Sequence, residues 1–139
     1  MNTQDAVNEM LDIAIGLATL NGWEFVTEDR PPKANPLSLQ PPYLRAIVRH
    51  ATGRQSSLSG ASGQRMYDAT GTLWIEIYAK TGTGNTQGYS MSDMVMDAYR
   101  VKRPNASVWY RNIRMHEGPA EGASKKNQVL IDFVYSMLR

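Results

Sequence analysis

The chain has 139 residues, 42% hydrophobic and 20% charged, with 15 basic against 13 acidic side chains and a formal net charge of +2. Such a length fits one domain that buries roughly two-thirds of the surface its unfolded chain would expose, and no apolar run approaches the ~18 residues of a membrane span. Zero Cys and only two His, His50 and His116, exclude disulfides, thiolate metal sites and a cysteine nucleophile, and leave little room for a histidine metal centre.

Asn2 or Thr3 caps a first helix that leaves through Asn21-Gly22, with Asp5 and Glu9 near its positive end. Val7, Met10, Leu11, Ala14, Leu17 and Ala18 form one apolar stripe, which Ile13, Ile15 and Leu20 widen. A stripe that broad fits a groove between a sheet and a second helix, and it equally fits a helix packed in part on a neighbouring subunit. The acid in Met1-Asn-Thr-Gln-Asp5 stands where a secretory leader carries bases, which reads as cytosolic origin.

From residue 23 to 42 the order weakens. Trp23-Glu-Phe-Val26 offers a brief edge strand, and Arg30-Pro-Pro, Asn35-Pro and Pro41-Pro42 break any regular structure beyond it. Structureless connections beyond ~12 to 15 residues are uncommon in compact domains and tend to be functional or to pack elsewhere. The expectation is a Pro-rich arm that contacts another subunit, with Leu37 and Leu39 as apolar residues lacking any periodic partner.

Residues 42–50 alternate as a strand, Leu44, Ala46 and Val48 against Tyr43, Arg45, Ile47 and Arg49. Arg45 and Arg49 then share a face, either to meet an acidic partner or phosphate, or to lie along the sheet with their charges in water. Residues 51–63 are rich in Ser and Gly and too poor in bulk to offset their ordering entropy, so a flexible loop is expected there. Extended character resumes at Arg65 and runs through Gly71 to Lys80, where Leu73, Ile75, Ile77 and Ala79 make a purely aliphatic face, and this strand is expected to form a long hairpin with residues 43–50.

A glycine-rich loop over 81–88 leads to Ser90, with Asp93 three residues on, as a helix start. Met91, Met94, Val95, Ala98 and Val101 then form a single stripe that ends before Pro104. Residues 107–116 alternate as a strand with neither face cleanly apolar, which suits a sheet whose far side meets protein or simply an exposed sheet face. Residues 117–127 form a loop, and 128–139 close the chain as a strand with Val129, Ile131, Phe133, Tyr135 and Met137 on one face. The sum is an α+β two-layer sandwich: an antiparallel sheet of about four strands with two helices on one face.

Catalytic patterns are not assembled. Lys80 precedes the glycines of Lys80-Thr-Gly-Thr-Gly-Asn85, the reverse of a phosphate-binding loop, and no Gly-x-Ser-x-Gly elbow occurs. Asp93 serves as a cap residue, with Asp97 one turn on, rather than joining Glu76 in a carboxylate pair. No enzyme, cofactor or metal site is expected. The bases are spread along the chain without interleaved aromatics, which speaks against a sequence-specific nucleic-acid reader.

The layout of first helix, Pro-rich arm ending in Pro41-Pro-Tyr-Leu-Arg45, hairpin bearing Gly71-Thr-Leu-Trp-Ile-Glu-Ile77, Gly82-x-Gly84 opening into a helix, and closing hairpin resembles the tail terminator (tail completion) proteins of long-tailed bacteriophages. The resemblance implies an α+β subunit that forms a hexameric ring on the last ring of tail-tube protein. Such a ring stops tube polymerisation, faces the head–tail connector protein and lets viral double-stranded DNA cross its lumen without sequence-specific binding. It implies a virion protein at the head-proximal end of the tail, assembled in the host cytoplasm, with no membrane contact. Under it Leu37, Leu39, Arg54, Arg65, Lys125 and Lys126 read as partner contacts, the four charged ones lying in the two expected loops, where solvated loop charge is the plain alternative. A neck or head-completion adaptor is the nearest different reading, and a small cytosolic ligand-binding domain with its pocket between helices and sheet is the next.

Overall fold

Helix α1 (Thr3–Asn21) begins and ends as its sequence dictates. The Asn2 side chain accepts the Asp5 N–H at 2.8 Å and Asp5 accepts the Asn2 N–H at 3.2 Å, a reciprocal capping box. Gly22, at φ 72°, donates to Thr19 O, while Trp23 N–H reaches Ala18 O at 2.8 Å, which turns the chain out of the helix. Asn2→Ala is expected to cost about 1 kcal/mol, read as a shift in the denaturation midpoint; an unchanged midpoint would show that the box is not formed in solution.

The structure, a computed structural model, describes residues 2–27, 42–55, 66–80, 86–101, 103–121 and 124–138. Within them lie β1 (Glu24–Thr27), β2 (Tyr43–Gln55), β3 (Met66–Lys80), α2 (Thr86–Arg100), β4 (Val108–Glu121) and β5 (Ser124–Leu138). The strands form one five-stranded sheet in the order β1-β2-β3-β5-β4. This corrects the expectation of about four antiparallel strands: the segment Glu24–Thr27 pairs parallel to β2, Glu24 opposite Tyr43 and Thr27 opposite Ala46. Parallel neighbours need a connection of a dozen or more residues, and residues 28–41 supply that length. The α+β class with two helices stands.

Both helices cover the same face. Ala6, Met10, Ala14 and Ala18 of α1 and Met91, Val95 and Tyr99 of α2 share one core with Leu44, Leu73, Ile75, Ile77, Ile131, Phe133 and Tyr135. Three alanines on the buried stripe of α1 let its backbone approach closely, and Leu11, Ile13 and Leu17 pack at the border while Ile15 and Leu20 stay exposed. The groove therefore accounts for most of the wide stripe but not all of it.

Helix α2 begins at Thr86, four residues before the expected Ser90, and is rotated from the expected stripe: Gly88, Met91, Ser92, Val95 and Tyr99 are buried, whereas Met94 and Val101 are exposed. Hydrogen bonds make the difference. Ser92 Oγ donates to Gly88 O at 2.7 Å, buried Asn127 donates to Ser92 Oγ at 3.5 Å, and Tyr99 Oη donates to Met10 O at 2.7 Å. Satisfied polar groups bury at little cost, so an apolar count alone misplaces the face.

The β4–β5 hairpin is longer than expected, with pairing out to Glu121 opposite Ser124, so most of residues 117–127 is strand rather than loop. A bulge between Arg111 and Arg114, with Asn112 at φ 53°, shifts the alternation by one residue. Tyr110 before the bulge and Ile113 after it both pack on the core, which is why neither face of this strand read as apolar in the sequence. Strand β2 likewise continues through residues 51–55, where the Ser/Gly loop was expected, and the rest of that expected loop, 56–63, lies outside the described residues.

Candidate functional site

The outer face of the sheet, turned away from the helices, carries the densest polar chemistry in the described residues. Alternation sends Arg45 of β2, Glu76 of β3 and Lys126 of β5 outward, and the register sets Arg45 opposite Glu76 and Lys126 opposite Tyr78. Glu76 is only 2% exposed, yet it is fully partnered: Arg45 Nη1 donates to Oε1 at 3.0 Å, Lys126 Nζ pairs with Oε2, and Tyr78 Oη donates to Oε2 at 3.3 Å. Tyr43 stacks on Tyr78 with ring centroids 4.4 Å apart and walls the cluster. The hydrogen bond to Glu76 raises the Lys126 pKa, while burial, then the charge of Glu76, raises that of Tyr78.

A second acid on this face is held the same way. Asp132 accepts from Thr72 Oγ1 at 3.1 Å, Asn112 Nδ2 at 3.0 Å and Arg114 Nη1 at 3.3 Å. Burial alone would raise its pKa, but these hydrogen bonds together outweigh burial and hold it below the usual carboxylate value. A lowered folded pKa gives stability that is present above the unfolded value and lost as pH falls through the folded one. Asp132→Asn is therefore expected to flatten the acid limb of the stability profile below about pH 4, measured by chemical denaturation at stepped pH; an unchanged limb would remove Asp132 from that role.

Between these clusters lie Ile47, Trp74 and Leu130, Val134 lies beyond Asp132, and at the β4 edge Trp109 is 59% exposed beside exposed Arg111. The face is thus neither a polar coat nor a closed core. Its geometry suits broad contact, with Glu76 and Asp132 each engaged by neighbouring side chains.

A cleft of about 570 Å³ opens between α1 and the α2–β4 connection, lined by Glu9, Asp12, Ile13, Arg103 and Tyr110. Its charges also serve the fold. Glu9 accepts the Ser107 and Val108 N–H groups, the latter at 2.8 Å, and Arg103 donates to Ala98 O at 2.7 Å and to Val101 O at 3.2 Å at the end of α2. Among the described residues the buried Tyr110 hydroxyl has no hydrogen-bond partner, and burial, then the charge of Glu9, pushes its pKa well above the usual phenol value. Among the described residues no group of three or more His, Cys, Asp or Glu side chains could hold a metal ion, and no helix is long and apolar enough to cross a membrane.

No protein-family model matches the chain, and no curated protein matches it. A solved structure of a protein 16% identical superimposes with a TM-score of 0.60 over 95% of this chain and 92% of its own. That likeness shows a shared fold and carries nothing about chemistry.

Of the residues singled out from the sequence, Leu37, Leu39 and Arg65 lie outside the described residues. Arg54 and Lys125 are not in loops but in strands, their backbones paired with Asp68 and with Ala79 and Ala120. Lys126, also expected in a loop, sits in β5 and holds Glu76. Glu76 lies on the opposite side of the sheet from α2, so it forms no pair with Asp93 or Asp97; Asp97 instead meets Arg100 at 3.5 Å. Sequence reasoning missed the cluster around Glu76. Its one signal was the shared outward phase of Arg45 and Glu76, which becomes a pair only once the hairpin register is known.

Proposed function

We propose that this chain is a structural virion protein of the tail terminator type: a subunit that caps the phage tail tube as a ring, ends tube polymerisation and forms the surface joining tail to head. The ring is a hexamer of this chain, its partners are tail-tube protein and the head–tail connector, and viral DNA passes through its lumen. The subunit works by contact rather than catalysis. The observation that carries this reading is the outer sheet face, where satisfied ion pairs alternate with Trp74, Trp109 and Leu130, on a chain whose order of elements and short strings resemble that family. A surface of this mixture resembles the core and rim of a protein interface more than solvent-facing sheet.

Light scattering over a concentration series, and then mixing with purified tail-tube protein, tests it. A ring, or a monomer that becomes a ring on tube ends, is the expected result. A chain that ignores tube but binds the portal is a neck adaptor. One that ignores both, and whose melting temperature rises with a small molecule, is a ligand-binding domain.

A further inference from the structure

The fold gives the helix layer an excess of acids and the outer sheet face a small excess of bases. Helix α1 carries Asp5, Glu9 and Asp12 and no base, and α2 carries Asp93 and Asp97 against Arg100. Opposite them, the outer sheet face presents Arg45, Arg49, Arg111, Arg114 and Lys126. The same face bears the acids Glu24, Asp68, Glu76 and Asp132. Asp68 accepts from Ser136 Oγ at 2.7 Å, and Glu76 and Asp132 are each held by a cation, which leaves the exposed Arg111 uncancelled beside Trp109. Exposed apolar groups accompany both sets: Trp109 stands beside Arg111, while Ile15 of α1, Met94 of α2 and Val101 just past its end lie on the helix side.

We propose that the outer sheet face, centred on Trp109 and Arg111, docks on the acidic helix layer of a second copy of this chain. The contact rests on the proposed assembly of the chain on itself, and it names the two patches that meet. Charge complementarity selects this occupant: a helix layer that is acidic and studded with apolar side chains matches the part of the sheet face where Arg111 lies unpaired by Glu76 or Asp132 beside exposed Trp109. A nucleic-acid backbone matches the cations alone, leaving Ile47, Trp74 and Leu130 without a counterpart. A second sheet face would set cation against cation. Because the two patches differ, the contact is heterologous, and each added copy leaves one patch of each kind open until a ring closes.

The test uses two variants altered only at exposed positions. Trp109→Ser with Arg111→Glu spoils the sheet face, and Asp12→Lys with Asp93→Lys spoils the helix layer. Each alone is expected to associate at least roughly tenfold more weakly than the unaltered chain by light scattering, since like charges then face each other. Mixed together, the two are expected to form a 1:1 pair that grows no further, because each supplies the patch the other lacks. Thermal melts of the separate variants check folding, and where one fails, Arg111→Gln and Asp93→Asn with a salt titration replace them; weaker association with rising salt is expected.

Full assembly by the helix-layer variant, no pairing in the mixture, or an unaltered chain that stays monomeric at every concentration would each overturn the proposal. So would a monomer that binds duplex DNA and loses that binding on Arg111→Glu. The mixing result and the tube experiment are separable. Pairing without tube binding leaves this contact standing and removes the terminator reading, whereas tube capping indifferent to both variants does the reverse.

Discussion

Gly71→Ala is expected to lower stability by about 3 kcal/mol or more, and the melting temperature by roughly 10 °C. Gly71 sits in the ladder between His50 and Phe133, and a Cβ there would meet the Arg49 carbonyl oxygen, the Phe133 ring at 2.7 Å and His50 Cα at 2.9 Å. Two of those neighbours are backbone atoms of the adjacent strand and cannot turn aside. The third is no freer, because the Phe133 ring is packed edge-on by His50 at 5.3 Å, and His50 is itself held by a 2.7 Å hydrogen bond with Tyr135 Oη. A methyl group therefore has to part β2 from β3 near the bulge between His50 and Thr52. Equilibrium denaturation monitored by circular dichroism measures the loss. A midpoint within error of the unaltered chain would mean that the Phe133 ring does not lie over this glycine.

Glu76→Gln is expected to cost about 2 kcal/mol at neutral pH, less than the 3–5 typical of breaking a fully buried pair. The substitution leaves Arg45 and Lys126 side by side without their shared counter-charge, but both side chains are 38% exposed and can turn to water. The pH profile carries a second signature. The folded-state pKa of Lys126 is raised by its hydrogen bond to Glu76, so its contribution is complete below the unfolded value near 10.5 and is lost as pH rises through the folded one. Tyr78, raised chiefly by burial, pulls stability the same way at alkaline pH. In the Gln variant the alkaline decline is expected to be shallower, the Lys126 share having gone. A variant with unchanged stability and an unchanged alkaline limb would show that the cluster is solvated and contributes nothing.

These two positions also show how far the sequence could be read. The aliphatic face of residues 73–79 and the apolar face of 129–137 were legible because side chains in a strand alternate with a period of two, and Leu73, Ile75, Ile77, Val129, Ile131 and Phe133 are indeed buried. Gly71 was visible only as a residue the strand passes through; that it must be glycine depends on Phe133, 62 places along the chain and brought opposite it by the β3–β5 register. Glu76 was visible only as an outward-facing acid. Its partners come from β2 and β5, and no local pattern joins them.

What the sequence determined by itself were the features encoded within a few residues: a helix start capped at Asn2 or Thr3, the Gly22 exit, the faces of β3 and β5, the α+β class and the want of cysteine chemistry. Tertiary structure alone decided the rest. It set β1 parallel to β2, turned α2 so that Gly88, Ser92 and Tyr99 face inward, shifted β4 by one residue at Asn112, and left the outer sheet face with paired charges and a small excess of bases opposite an acidic helix layer. The physical reason is common to all four. Caps and periodicities are settled by neighbours in the chain, whereas pairing direction, buried hydrogen bonds and charge segregation are settled by partners tens of residues away, such as Tyr99 on Met10, 89 residues apart.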